Sequence, residues 1–220
     1  TGHRRITSFN GQDHSPMWSA DGATLTFVSE QNGPANLFRL PVNARGPIDY
    51  GALGELVAKE GIKTIFCTHV DSSSGLILDL YEIGRISKKN GAMLLVDGIC
   101  GAGAEKMDQD GWGVDVLLSS TPKAIGVPCG LVMISTSDRA TDWLKNRPWE
   151  PWTFALDLKP WVSVMEAHNK GQFGYVQSPA GNLVAALHEG LRLIMTEGVG
   201  PRFARHERLE PLGEQPVVRV

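Results

Sequence analysis

Three apolar, β-branched runs in this sequence each end in side chains able to do chemistry. Asp97 directly follows Met93-Leu94-Leu95-Val96. Lys123 follows the run Val114 to Leu118 by way of Ser119, Ser120 and Thr121. His69, Asp71, Ser72, Ser73 and Ser74 follow a run that ends at Thr68. A lysine amine whose pKa is lowered by burial or a nearby cation can form a Schiff base with an aldehyde. A carboxylate beside it suits pyridoxal phosphate, whose ring nitrogen needs an acidic partner to stay protonated and act as an electron sink. The same two residues also read as an exposed loop lysine and a helix-capping aspartate, and pattern alone leaves both readings open. No nucleotide loop accompanies them, since neither GxGxxG nor GxxxxGK[ST] occurs. His69 has no second histidine at metal-ligand spacing, so no metal site is expected.

The elements that must position these residues alternate between strand and helix from residue 46 onward. Lys63 to Thr68 reads as a strand. Leu78 to Lys89 reads as a helix with apolar positions at 80, 83 and 86, stopped by Lys88-Lys89-Asn90-Gly91. Ala92 to Val96 is a continuous apolar run of the kind found in buried parallel sheets. Val114 to Leu118 and Leu131 to Ser135 are further strands, and Ser137 caps a helix to Lys145. In the strongest helix, Asn182 to Met195, Leu183, Leu187, Leu191 and Ile194 share a face, and Glu197-Gly198 closes it. This alternation predicts an α/β fold with a mainly parallel sheet, in which ligands sit beyond the carboxyl ends of the strands.

Residues 1–45 read differently. Asp21-Gly22 and Asn32-Gly33 are turn dipeptides flanking a run from Ala23 to Ser29, with a partner strand at Asn36 to Val42. This predicts a short antiparallel β segment. The stretch from His14 to Gly22 resembles the blade repeat of TolB-type propellers. It occurs once, and blades need neighbours to bury their faces, so an appended or truncated piece without its own activity is expected.

Composition narrows the class. The chain has 220 residues, 42% hydrophobic and 20% charged, with a net charge of −3. That is a globular composition with no basic footprint for nucleic acid or an anionic membrane. No apolar run reaches the roughly 18 residues of a membrane span. No secretory leader is read at the N-terminus. Cys67, Cys100 and Cys129 form no CxxC pair and are expected to be buried, reduced thiols of an intracellular, by default cytoplasmic, protein.

Taken together, Thr68-His69-Val70-Asp71-Ser72-Ser73-Ser74-Gly75, Leu94-Leu95-Val96-Asp97-Gly98-Ile99 and Ser119-Ser120-Thr121-Pro122-Lys123-Ala124-Ile125-Gly126 resemble the ordered motifs of the class V aminotransferases. The nearest group is the alanine–glyoxylate and serine–pyruvate aminotransferases. Asp157-Leu158-Lys159, Tyr175-Val176-Gln177-Ser178-Pro179 and the helix through Glu197-Gly198 and Arg205-His206 extend the resemblance over residues 46–209, leaving 210–220 as a tail. The resemblance implies a partial large domain of the pyridoxal-phosphate transferase fold, acting on a small amino acid and a 2-oxo acid. It implies Lys123 as the cofactor-bonding and proton-shuttling residue, Asp97 on the ring nitrogen and Ile99 on the ring face. Ser72 would lie near the phenolic oxygen, and Thr121 would belong to the cofactor site. Tyr175 and Ser178 would reach the phosphate of a neighbouring subunit, which implies a homodimer.

Departures from the family pattern carry equal weight. Pro122 stands where the family has a phosphate-binding glutamine, Gly101 where it has serine, Asp71 where it has glutamate, and Ala180 where it has a second proline. The Gly-rich phosphate loop and the arginine for the substrate carboxylate have no counterpart here, and Arg202, Arg205 and Arg208 precede that arginine's expected place. A non-catalytic scaffold or interaction module is therefore the alternative. Within the same enzyme class, an aminoethylphosphonate transaminase or a cysteine desulfurase is the runner-up, although Pro122 replaces the desulfurase histidine.

Overall fold

The computed structural model describes residues 48–72, 75–151 and 153–209, together with the strand backbones at 17–18, 24–29, 36–41 and 218–219. The stretch from His14 to Gly22 falls mostly outside the described residues, as do both turn dipeptides and Ser73 and Ser74. The short antiparallel segment is present: β1 (Met17–Trp18), β2 (Thr24–Ser29) and β3 (Asn36–Pro41) pair in that order.

Helix α1 (Tyr50–Glu60) starts where Asp49 accepts the Ala52 N–H at 2.9 Å and stops at Gly61 in the left-handed region. Strand β4 (Thr64–Thr68) leads to a two-stranded hairpin of β5 (Val70–Asp71) and β6 (Leu76–Ile77). Helix α2 (Leu80–Asn90) is capped by Asp79 and closed by Gly91. Strand β7 (Met93–Asp97), the short α3 (Gln109–Trp112) and strand β8 (Val116–Ser120) follow. Then come β9 (Val132–Thr136), α4 (Asp138–Asn146), a 3₁₀ turn at Phe154–Leu156, α5 (Lys159–Asn169), α6 (Gly181–Glu197) and α7 (Val199–Leu209). The last strand, β10 (Val218–Arg219), pairs parallel with β6. None of the described helices is long and apolar enough to cross a membrane.

The main sheet has the order β4-β7-β8-β9. The β4–β7 and β7–β8 pairs are parallel, and their register puts Thr68 opposite Asp97 and Asp97 opposite Leu118. The ends of the three chemistry-bearing strands therefore lie on one line. Strand β9 returns antiparallel to β8, with Ser120 opposite Val132. The link between them is taken up by the turn around Lys123 and holds no helix, so it cannot carry the crossover that a parallel return requires.

The core lies on one face of this sheet. Leu53 and Val57 of α1 and Leu80, Ile83 and Ile86 of α2 pack on Ile65, Cys67, Leu94, Val96 and Val114. Each such side chain contributes about 1.5–3 kcal/mol when fully buried. Burial along β7 alternates: Leu94 and Val96 are fully buried while Met93 and Leu95 are half-buried. Helices α1 and α2 cover one face of β7. The cysteine expectation is corrected. Cys67 is buried, and burial together with the Asp97 charge pushes its thiol up to about 12, but Cys100 is half-buried and Cys129 is exposed in the loop before β9.

Asp115, just before β8, ties three elements together. Its Oδ2 accepts the Leu94 N–H at 2.8 Å, and its Oδ1 accepts the Ser137 hydroxyl at 2.9 Å and Arg139 Nε at 3.0 Å. Arg139 Nη2 bonds both Asp115 and, at 2.7 Å, the Ala92 carbonyl. Burial opposes ionisation, but these donors outweigh it and hold the carboxyl below its usual range. Asp115→Asn must turn an amide donor toward Leu94 N–H or Arg139, and it is expected to cost about 2–3 kcal/mol, less than a fully buried pair because Arg139 is half-exposed. A carboxyl with a lowered folded pKa stabilises fully above the unfolded titration near pH 4 and ceases to do so as pH falls through the folded value. Denaturant melts of wild type and Asp115→Asn should therefore differ most at neutral pH and converge in acid.

Candidate active site

Asp97 ends β7 at the carboxyl edge of the sheet. Its Oδ1 accepts the Ile99 N–H at 2.9 Å, an aspartate turn that fixes the carboxylate over the strand end. Its backbone carbonyl accepts the His69 N–H at 2.9 Å, and the Gly98 N–H donates to Leu118 O at 2.8 Å. The backbone pairing thus continues past Asp97 on both sides. A Cβ at Gly98 would lie 2.6 Å from Leu117 Cδ1 and 3.2 Å from Leu118 O, so a side chain there would have to move Leu117 and crowd the strand. Among the described residues Asp97 Oδ2 accepts no hydrogen bond, which leaves one carboxylate oxygen for a ligand.

Lys123 is exposed on the turn that follows β8. The Gly126 N–H donates to Lys123 O at 2.9 Å, and the Val127 N–H donates to Thr121 O at 3.2 Å. Thr121 is fully buried; its N–H donates to Leu131 O at 3.3 Å, and its Oγ1 faces Leu131 N at 3.5 Å. Thr121 is thus turned inward to hold the lysine turn. Ser119 is 6% exposed, and its buried Oγ has no hydrogen-bond partner among the described residues. Such an orphaned hydroxyl at a strand end is a feature of sites that take a polar group.

The remaining candidates fall into two places. Ile99 sits beside Asp97, half-buried. Ser72 is exposed at the tip of the β5–β6 hairpin. Tyr175 and Ser178 lie on the exposed segment between α5 and α6, where their hydroxyls are 3.1 Å apart and Phe173 stacks on Tyr175 at 6.4 Å. Among the described residues neither hydrogen-bonds to Asp97, Ile99, Thr121 or Lys123. Asp157 is structural in its contacts: it pairs with Arg147 at 2.8 Å and accepts the Lys159 N–H at 2.8 Å, just before α5. Arg202 reaches the Lys123 turn from α7 by bonding the Ala124 carbonyl, a contact that residue order does not announce. The 78-residue separation between the partners leaves no local signal for that contact.

An α/β fold with a mainly parallel sheet and a lysine and an aspartate at neighbouring strand ends is the architecture of the pyridoxal-phosphate transferases. The chain matches the family model "Aminotransferase class-V" over residues 23–199, and it belongs to that family. The match takes in β2 and β3. Alanine–glyoxylate aminotransferase 1 of Saccharomyces cerevisiae is 30% identical over 159 residues, covering 70% of this chain and 41% of the relative. Ureidoglycine–glyoxylate aminotransferase from Bacillus subtilis superposes with a TM-score of 0.67 at 25% identity, over 78% of this chain and 43% of that one. An alanine–glyoxylate aminotransferase from Nostoc sp. gives 0.67 at 27% identity, over 76% and 45%. The chain spans about two fifths of the length of these relatives.

Family membership implies pyridoxal phosphate. The donor set fits its ring end: an aspartate with one open oxygen ends β7, and an exposed lysine stands on the turn that follows the adjacent parallel strand β8, with the orphaned Ser119 hydroxyl close in sequence to the lysine. Exposed Pro122, next to the lysine, offers neither an N–H nor an amide side chain. The Gly101 departure has a steric cause, since a Cβ there would lie 2.5 Å from His69 Nδ1 and 3.0 Å from Val70 Cγ2. His69 is 3% exposed and pinned through its backbone by Asp97 O and the Leu78 N–H. Gly101→Ser must displace that ring and is expected to cost about 1–3 kcal/mol, read as a lowered thermal midpoint.

Proposed function

We propose that this chain carries the cofactor-bonding half of a pyridoxal-phosphate-dependent transamination site. The reaction would pass the amino group of a small amino acid, alanine or serine, to a 2-oxo acid such as glyoxylate or pyruvate. The observation that carries this reading is the placement of Asp97 and the Lys123 turn at the register-aligned ends of β7 and β8. When bound, pyridoxal phosphate supplies an electron sink that acidifies the amino acid's α-C–H.

The chain's own residues then divide the work. Lys123 would bond the cofactor aldehyde through its amine and move a proton at the substrate α-carbon. Asp97 would hold the ring nitrogen through its open carboxylate oxygen and favour its protonated form. Ile99 would pack on the ring and exclude water. Ser72 would serve the phenolic oxygen, and Thr121 holds the turn that carries the lysine. The paired hydroxyls of Tyr175 and Ser178 would serve the phosphate of a second copy, which would make the functional unit a homodimer. A non-catalytic scaffold is the second reading, and Pro122 is the residue that favours it.

Titration of the full chain with pyridoxal phosphate separates the two. The transaminase reading expects a visible absorbance band that borohydride fixes and that Lys123→Ala abolishes. Asp97→Asn should weaken cofactor binding by about 10–100-fold, the loss of one charge-assisted hydrogen bond. A chain that develops no lysine-dependent band is a scaffold.

A further inference from the structure

The loop that follows Asp97 and the turn that carries Lys123 touch each other. A Cβ at Gly103 would lie 3.3 Å from Ile125 Cδ1 and 3.8 Å from Ala124 Cβ. Arg202 of α7 spans this contact. Its Nε donates to Gly103 O at 2.7 Å, and its Nη2 donates to Ala124 O, the carbonyl next to Lys123. Its Nη1 donates to Glu197 Oε2 at 3.0 Å, at the junction of α6 and α7. Glu197 is bound in turn by Arg205, through Nε at 2.6 Å and Nη2 at 3.0 Å. The Arg205 and Arg202 hydrogen bonds hold the Glu197 carboxyl down to about 2, so the anchor stays charged. Arg202 is 9% exposed although it carries a full charge. A guanidinium is buried this way only when its donors are satisfied, and its planar fork suits several acceptors at once.

Helix α6 presses on the same turn from another side. A Cβ at Gly190 would lie 2.5 Å from Val127 Cγ1 and 3.5 Å from Ile125 O. The lysine turn is therefore bounded by its own hydrogen bonds, by α6, by the Gly103 loop and by the Arg202 clamp.

We infer that Arg202 is a positioning residue: by bonding the Gly103 and Ala124 carbonyls together it sets the Lys123 turn relative to the Asp97 loop. Its meaning for catalysis rests on the cofactor reading above; the clamp itself does not. Arg202 touches neither cofactor nor substrate in this arrangement. It acts on where the lysine stands, and small misplacements of a reacting group lower rates steeply.

The test compares Arg202→Lys with Arg205→Lys in the full chain. A lysine at 202 keeps the charge but gathers its donors on one nitrogen, in place of the fixed Nε and Nη2 pair that reaches the two carbonyls, whereas Arg205 bonds Glu197 and neither loop carbonyl. Amide hydrogen exchange is read without cofactor at Gly126 and Val127, with Leu94 and Val96 as core references. Arg202→Lys should speed exchange at Gly126 and Val127 by about tenfold or more and leave the core unchanged, while Arg205→Lys changes neither set by more than about twofold. Pyridoxal phosphate titration should show half-saturation raised about tenfold in Arg202→Lys alone. Equal exchange in both variants overturns the proposal. So does a rise spread over the core, which would make Arg202 a general stabiliser. If wild type shows no Lys123-dependent band, the cofactor reading falls, and the exchange comparison still decides the clamp.

Discussion

The register of three parallel strand ends is the constraint on which the rest depends. Thr68 sits opposite Asp97 and Asp97 opposite Leu118, and the backbone pairing runs one residue further on each side through the His69 and Gly98 amides. A one-residue slip would turn every side chain of β7 to the other face. Leu94 and Val96 would then leave the α1–α2 core, and Asp97 would leave the edge. The burial that stabilises the sheet is the same burial that aims the carboxylate.

Close packing at small residues translates that register into a site. Gly98 lets the chain turn under Leu117, Gly101 leaves room for the buried His69 ring, and Gly103 lets the Asp97 loop rest on Ile125. The outer helices act on the same edge. Gly190 of α6 admits Val127, and Arg202 of α7 ties the two loops. Asp115 works at the opposite end of the strands, joining Leu94 to the start of α4 through Ser137 and Arg139. The strands are thus tied at both ends by charged hydrogen bonds, with an apolar layer on one face between them.

Most of this frame could be read from residue order, because strand, cap and stop signals are local. Asp79 and Gly91 bound α2, and the side chains at 80, 83 and 86 are the ones it buries. Asp97 and Lys123 stood out as polar residues beyond apolar runs, but a cap and a loop lysine would look the same, and only the motifs surrounding both pointed to their roles. Strand β8 starts at Val116 and not at Val114, because the Val114 N–H bonds Gln109 O and closes α3. The antiparallel return of β9, the one-sided cover of β7 and the inward turn of Thr121 depend on what packs where, which periodicity does not encode. Arg202 was beyond reach for the same reason: its loop carbonyls lie 78 and 99 residues away.

The central claim is that the strand-end geometry makes Lys123 the amine that meets the cofactor. The direct measurement is to expose the full chain to substoichiometric pyridoxal phosphate, reduce with borohydride and map the modified lysine by peptide mass spectrometry. The label is expected on Lys123, with loss of that selectivity in Asp97→Asn. A label spread over the surface lysines of wild type, such as Lys59, Lys88 and Lys89, would contradict it.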